Sequence, residues 1–94
     1  MVVWTDSATS DLRAVHDYIA KDSLYYAKKV VNDVRERMEQ LDTFPKIGRI
    51  VPEINQENIR EISIYSYRII YEINDQVIIV LAIVHQRQVL NNEI

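Results

Sequence analysis

Eight consecutive apolar residues, Val77 to Val84, constrain the fold of this chain more than any other feature. The run is far shorter than the roughly 20 residues that span a bilayer, and no polar residue interrupts it to face solvent. A strand with this pattern is covered on both of its faces. We therefore expect a central strand with the rest of the chain packed around it.

Two segments with helical periodicity precede this strand. The first begins after a cap at Thr5 or Asp6 and runs to about Lys21, and the second begins after Asp22-Ser23. Apolar residues lie on one face of each predicted helix, at Ala8, Leu12, Val15 and Ile19 in the first and at Leu24, Ala27, Val31, Val34, Met38 and Leu41 in the second. Helices joined by so short a link fold back into an antiparallel hairpin.

The remaining segments have strand character. Residues 2–4 form a short opening strand, and strand character returns near Ile59. From there the odd-numbered residues of 67–73 are apolar, and a three-residue turn at 74–76 pairs Arg68 with Ala82 and directs the odd face of both strands toward the helices. The predicted class is α+β, in the order β-α-α-β-β-β, with the helical hairpin packed on a small C-terminal antiparallel sheet.

Length and composition predict a single domain over residues 1–94. The chain has no cysteine and no basic N-terminal segment of a secretory signal, so we expect a cytoplasmic protein without a membrane partner. A net charge of −3 argues against a non-specific nucleic-acid binder. A single glycine excludes a glycine-rich phosphate loop, and two distant histidines give no zinc motif, so no metal and no cofactor is predicted.

Polar residues of the C-terminal half are the candidates for chemistry, namely Glu53, Arg68, His85 and Arg87. If they converge, a carboxylate or histidine can transfer a proton at a phosphodiester while an arginine balances the charge on phosphorus. The alternative is structural: Arg68 pairs with Glu72 or Glu61, and His85 caps an edge of the sheet.

The chain resembles the ParE/RelE superfamily of bacterial toxins, which belong to type II toxin–antitoxin and plasmid-stabilisation systems. The resemblance covers essentially the whole chain and is carried, in order, by Val3-Trp4-Thr5, Asp11-Leu12, Tyr18-Ile19, Phe44-Pro45, Gly48-Arg49-x-Val51-Pro52-Glu53, Ile59-Arg60-Glu61, Tyr67-Arg68-Ile69-Ile70-Tyr71 and His85-x-Arg87. It implies a toxin that a cognate antitoxin neutralises.

Two targets are compatible with the resemblance. ParE-like members inhibit DNA gyrase without catalysis, whereas RelE-like members are ribosome-dependent endoribonucleases that cut mRNA. No lysine follows Lys46, no tyrosine follows Tyr71, and Gln86 stands where one nuclease branch has a tyrosine after its histidine. The His85-Gln86-Arg87 ending is more similar to ParE, so a gyrase-binding toxin is the first hypothesis.

The resemblance implies different residues for each activity. For a gyrase inhibitor the expected target-binding residues are Arg49, Arg60, Arg68, His85 and Arg87, and for a nuclease the expected catalytic residues are Glu53, Arg68 and His85. A third possibility is an inactive toxin that still binds its antitoxin. The antitoxin could bind part of the apolar stripe that runs along one face of the two helices, or the Tyr25-Tyr26 and Tyr65-Tyr67 clusters. The simpler alternative is that these residues only pack in the core.

Overall fold

A computed structural model describes residues 1–87 of the chain. The elements in chain order are β1 (Val2–Trp4), α1 (Asp6–Ala20), α2 (Leu24–Glu39), a short 3₁₀ helix (Gln40–Asp42), β2 (Arg49–Ile50), β3 (Ile59–Ile64), β4 (Tyr67–Asn74) and β5 (Val77–His85). The predicted α+β class and its order of elements are confirmed, with the short strand β2 as an addition.

Both helices begin at the predicted caps. The side-chain oxygen of Thr5 accepts a hydrogen bond from the backbone of Ala8, and that of Ser23 accepts one from Tyr26. Leu24, which we expected in the core, is the first residue of α2 and is exposed. Within residues 1–87, no helix has both the length and the apolar character needed to cross a membrane.

The five strands form one sheet in the order β1-β5-β4-β3-β2. The short strand β1 pairs parallel to β5, and all the other pairs are antiparallel. As predicted, β5 lies inside the sheet, between β1 and β4. The helices cover one side of the sheet, where the main core contains residues from α1, α2 and the strands, among them Leu12, Met38, Ile69 and Tyr71.

The predicted register of β4 and β5 is wrong. The turn contains two residues, Asp75 and Gln76, because Asp75 adopts a positive φ of 57° that permits a tight hairpin. This turn shifts the pairing by one residue and a bulge in β5 shifts it by another, so Arg68 lies opposite Val84 and not opposite Ala82.

A bulge in β5 explains why the odd-face prediction holds for only part of that strand. Tyr71 pairs with Val80 and Ile70 pairs with Ala82, so Leu81 is an extra residue in β5. On the β4 side of the hairpin the odd residues face the helices as predicted. In β5 the buried helix-facing residues are even-numbered before the bulge and odd-numbered after it.

The other side of the sheet carries a smaller apolar cluster. Val51 and Ile70 are fully buried there, and Ile54 and Val84 pack against them. The segment between β2 and β3 supplies Val51 and Ile54, so it crosses this side of the sheet. This arrangement places Glu53 of the same segment near the charged residues of β3 and β4.

Candidate functional site

A buried ionic network lies on the side of the sheet opposite the helices. The guanidinium of Arg68, 6% exposed, donates one hydrogen bond to each carboxylate oxygen of Glu53, both at 2.7 Å. Two such parallel bonds are the strongest arginine–carboxylate geometry. They raise the pKa of Arg68 above its usual value, with burial opposing the shift. Arg68 is therefore a fixed cation.

A second carboxylate extends the network to the sheet edge. Glu61, whose side chain is 1% exposed, accepts hydrogen bonds from Arg68 Nε at 2.9 Å and Nη2 at 2.5 Å. Its other oxygen accepts a bond from Arg49 Nε at 2.7 Å. Register explains the contact: Glu61 lies opposite Ile70, two residues from Arg68 on the same face. The predicted alternative that Arg68 pairs with Glu61 is confirmed.

His85 does not join this network, so of the two possibilities that the sequence left open, the convergence of Glu53, Arg68 and His85 does not occur. Arg68 pairs with Val84 across the strands, while His85 is opposite Tyr67 and makes an edge-to-face contact with its ring at 5.9 Å. Neighbouring residues in a strand point to opposite sides. His85 accordingly faces the helices, and Arg68 faces away from them.

The other predicted arginines have different environments. Arg60 donates hydrogen bonds to the backbone carbonyls of Glu57, Lys46 and Gly48. Its guanidinium therefore stabilises the loop before β2 against the segment before β3. The side chain of Arg49 remains largely exposed beside Glu61. Arg87 is exposed in the turn after β5, and its backbone N–H donates to His85 Nδ1 at 3.2 Å.

An aromatic groove lies between the helical hairpin and the ends of β4 and β5. It is open, has a volume of about 590 Å³, and contains Tyr18, Tyr65, Tyr67 and His85 among its lining residues. Tyr65 has a positive φ of 55°, and its hydroxyl donates to Asp33 of α2. That hydrogen bond lowers the pKa of Asp33 and raises the pKa of Tyr65. It fixes the β3–β4 turn beside the helix.

Sequence reasoning gave no contact to two residues that shape the molecule. Tyr71 was assigned to the apolar face of its strand without a role for its hydroxyl, and Asp11 entered only as part of the family resemblance. Asp11 accepts a hydrogen bond from the backbone N–H of Ile83 at 3.0 Å, where β5 extends beyond β1.

Solved structures of toxin–antitoxin systems share this fold. The chromosomal ParDE system from P. aeruginosa matches with a TM-score of 0.73 and 23% identity, covering 89% of this chain and 92% of that one. The YoeB–YefM complex from Staphylococcus aureus matches with a TM-score of 0.56 and 15% identity, covering 88% and 92%. No curated protein is similar enough in sequence for a significant match.

The fold is thus one found in type II toxin–antitoxin systems. The family model for the ParE toxin of the type II toxin–antitoxin system, parDE, matches residues 2–90. The chain belongs to this family of ParE toxins.

Proposed function

We propose that this protein is a cytoplasmic toxin that inhibits DNA gyrase by binding to it, and that a cognate antitoxin neutralises it. Membership of the ParE toxin family supports the proposal. One structural observation supports the choice of gyrase over mRNA as the target: Arg68 forms ion pairs with both Glu53 and Glu61.

This network is poorly suited to phosphodiester cleavage. A guanidinium that stabilises a phosphorane must present free N–H groups to it, and Arg68 directs its nitrogen atoms to two carboxylates. His85 lies on the other side of the sheet, so it cannot transfer a proton at an atom that Arg68 contacts. These positions favour a toxin that acts by binding over an endoribonuclease.

The same geometry removes one residue from the set expected to bind the target. Arg49, His85 and Arg87 expose their side chains, and Arg60 is partly exposed. Arg68 is excluded from direct contact because it is buried, so in our proposal it supports the fold. His85 and Arg87 are neighbours at the end of β5, and Arg49 and Arg60 lie on the paired strands β2 and β3, so the exposed residues give two separate candidates for the gyrase contact.

We place the antitoxin at the aromatic groove. Tyr18, Tyr25, Tyr26 and Tyr65 are all exposed on this end of the molecule, and tyrosine is typical of protein interfaces because it combines apolar area with a polar tip. The ammonium group of Lys21 lies 6.0 Å from the Tyr18 ring centre, so an acidic antitoxin segment meets a cation there. This assignment selects the tyrosine clusters over the apolar stripe of the helices, which apart from the exposed Leu24 is buried or partly buried against the sheet.

Two parallel assays test the proposed target. The purified protein is added to DNA gyrase holoenzyme with relaxed plasmid and ATP, and to ribosomes translating a defined mRNA. We expect loss of supercoiling and intact mRNA. Arg87→Ala tests one candidate contact, with the exposed Arg37→Ala of α2 as the matched control. Codon-positioned mRNA cuts with unimpaired supercoiling would show that the protein is a nuclease.

A further inference from the structure

The loop from Phe44 to Arg49, here called the anchor loop, is held in place by side chains of the sheet. The hydroxyl of Tyr71 donates to the carbonyl of Pro45 at 2.7 Å and accepts a bond from the Gly48 N–H at 3.1 Å. Arg60 donates to the carbonyl of Gly48 at 2.9 Å. A loop whose backbone is bound in this way loses little conformational freedom when it contacts a partner.

The only glycine of the sequence lies in this loop. A Cβ atom at Gly48 would lie 2.6 Å from the carbonyl oxygen of Glu61 and 2.6 Å from the hydroxyl of Tyr71. The loop therefore packs against the sheet more closely than any side chain at this position permits. Its fixed backbone depends on glycine.

The outer side of the anchor loop is apolar. Phe44 is 62% exposed and Ile47 is 55% exposed. With Pro45 and Ile73 they line an open concave surface of about 610 Å³. Large apolar side chains that are exposed on a fixed backbone do not contribute to a core, and they are typical of anchors in protein interfaces.

The charges around this surface favour a protein partner over a nucleic acid. Lys46 lines it and is largely exposed, in a surface ion pair with Glu57 that is weak enough to exchange for another carboxylate. Asp75 also lines it and repels phosphate. Among the described residues that line the surface, Phe44 alone has an aromatic ring to stack on a base, and the chain carries a net charge of −3.

We propose that Phe44 and Ile47 are the anchors by which the toxin docks on its protein target, in an apolar pocket with a carboxylate that faces Lys46. This inference rests on the proposed function, because it assigns a contact surface for gyrase. The inference adds two uncharged residues to the charged candidates for the gyrase contact. Both lie apart from the aromatic groove where we place the antitoxin.

The test compares two double variants with matched exposure. Phe44→Ser with Ile47→Ser removes the anchors, and Val3→Ser with Leu24→Ser removes two exposed apolar side chains, one in β1 and one at the start of α2. Both are expressed without antitoxin to measure growth arrest and are titrated against supercoiling by gyrase holoenzyme. Thermal unfolding verifies that each is folded, and Ile47→Glu alone replaces the anchor variant if that variant is unfolded.

We expect the anchor variant to require at least about tenfold more protein for half-inhibition, as loss of interface anchors does, and to lose growth arrest. The control should stay within about twofold of the wild type, since its side chains lie outside the anchor surface. An anchor variant as toxic and inhibitory as the wild type would overturn the inference. So would a wild-type dimer, detected by sedimentation, that dissociates in the anchor variant, because the surface would then bind a second copy.

The outcomes separate the two proposals. If the wild type arrests growth but leaves gyrase active, the proposed gyrase target is wrong, and loss of growth arrest in the anchor variant still supports docking on another protein. If the wild type does not arrest growth, both proposals are wrong. Growth arrest that persists in the anchor variant contradicts the docking surface alone.

Discussion

Arg68 and Glu53 form a two-bond ion pair that joins β4 to the segment between β2 and β3. The pair lies next to the apolar contact of Val51 and Ile54 with Ile70. Charge and apolar burial thus hold the same segment over the sheet. Because Glu61 binds the same guanidinium, removal of Arg68 leaves two carboxylates without their shared cation.

The first prediction concerns stability. Arg68→Met should lower the free energy of unfolding by about 3 kcal/mol, since it leaves Glu61 buried with only Arg49 as a cation. Urea denaturation measures the change. The matched control Arg37→Met, at an exposed position of α2, should change it by about 0.5 kcal/mol or less. Equal effects at the two positions would show that the ionic network does not stabilise the fold.

A double-mutant cycle tests which residues act together. Glu53→Gln and Arg68→Met should be coupled by about 1 kcal/mol or more, because they remove the same ion pair. His85→Ala and Arg68→Met should be additive to within about 0.5 kcal/mol, because the two side chains lie on opposite sides of the sheet. Strong coupling of His85 to Arg68 would contradict their separation.

Gly48→Ala should destabilise the protein by about 1–3 kcal/mol, the usual cost of overpacking. The added methyl group would overlap the backbone oxygen of Glu61, which cannot move without disturbing the β2–β3 pair. Ser63→Ala, at an exposed position of β3, serves as the control. Denaturation midpoints measure both, and an unchanged midpoint for Gly48→Ala would exclude the close contact.

Tyr71 should ionise at higher pH than an ordinary tyrosine. Burial raises the pKa of its hydroxyl above the usual 10.0. A group whose folded pKa is raised gives stability that is fully present below pH 10.0 and is lost as the pH rises through the folded pKa. Absorbance at alkaline pH should show late ionisation of Tyr71 and Tyr65, whose pKa values are both raised, and Tyr71→Phe should remove one of these two late components. Simultaneous ionisation of all six tyrosines would contradict it.

Asp11 should protect the free edge of β5. Asp11→Ala leaves the Ile83 N–H without its carboxylate partner, which costs about 1–3 kcal/mol for a buried donor. Amide hydrogen exchange should become faster at Ile83 than in the wild type. Asp17→Ala, at an exposed position of α1, is the control, and exchange at Ile83 should not change there.

The sequence determined the class of the fold through patterns that are local. Capping residues such as Thr5 and Ser23 set the helix starts, and the apolar run of residues 77–84 required a strand inside the sheet. Register was not local. The tight turn at Asp75 and the bulge at Leu81 each shift the pairing by one residue, so counting residues from the predicted turn could not determine which side chains are opposite one another.

For the candidate site, too, the sequence determined one part and the tertiary structure the other. The sequence marked Glu53, Arg68 and His85 as unusual polar residues, and their identities alone allowed either catalysis or an ion pair. Only the tertiary structure decided where each side chain points, because one added residue in a strand moves the following side chains to the other face. That geometry joined Arg68 to Glu53 and Glu61, separated it from His85, and placed the hydroxyl of Tyr71 under the anchor loop.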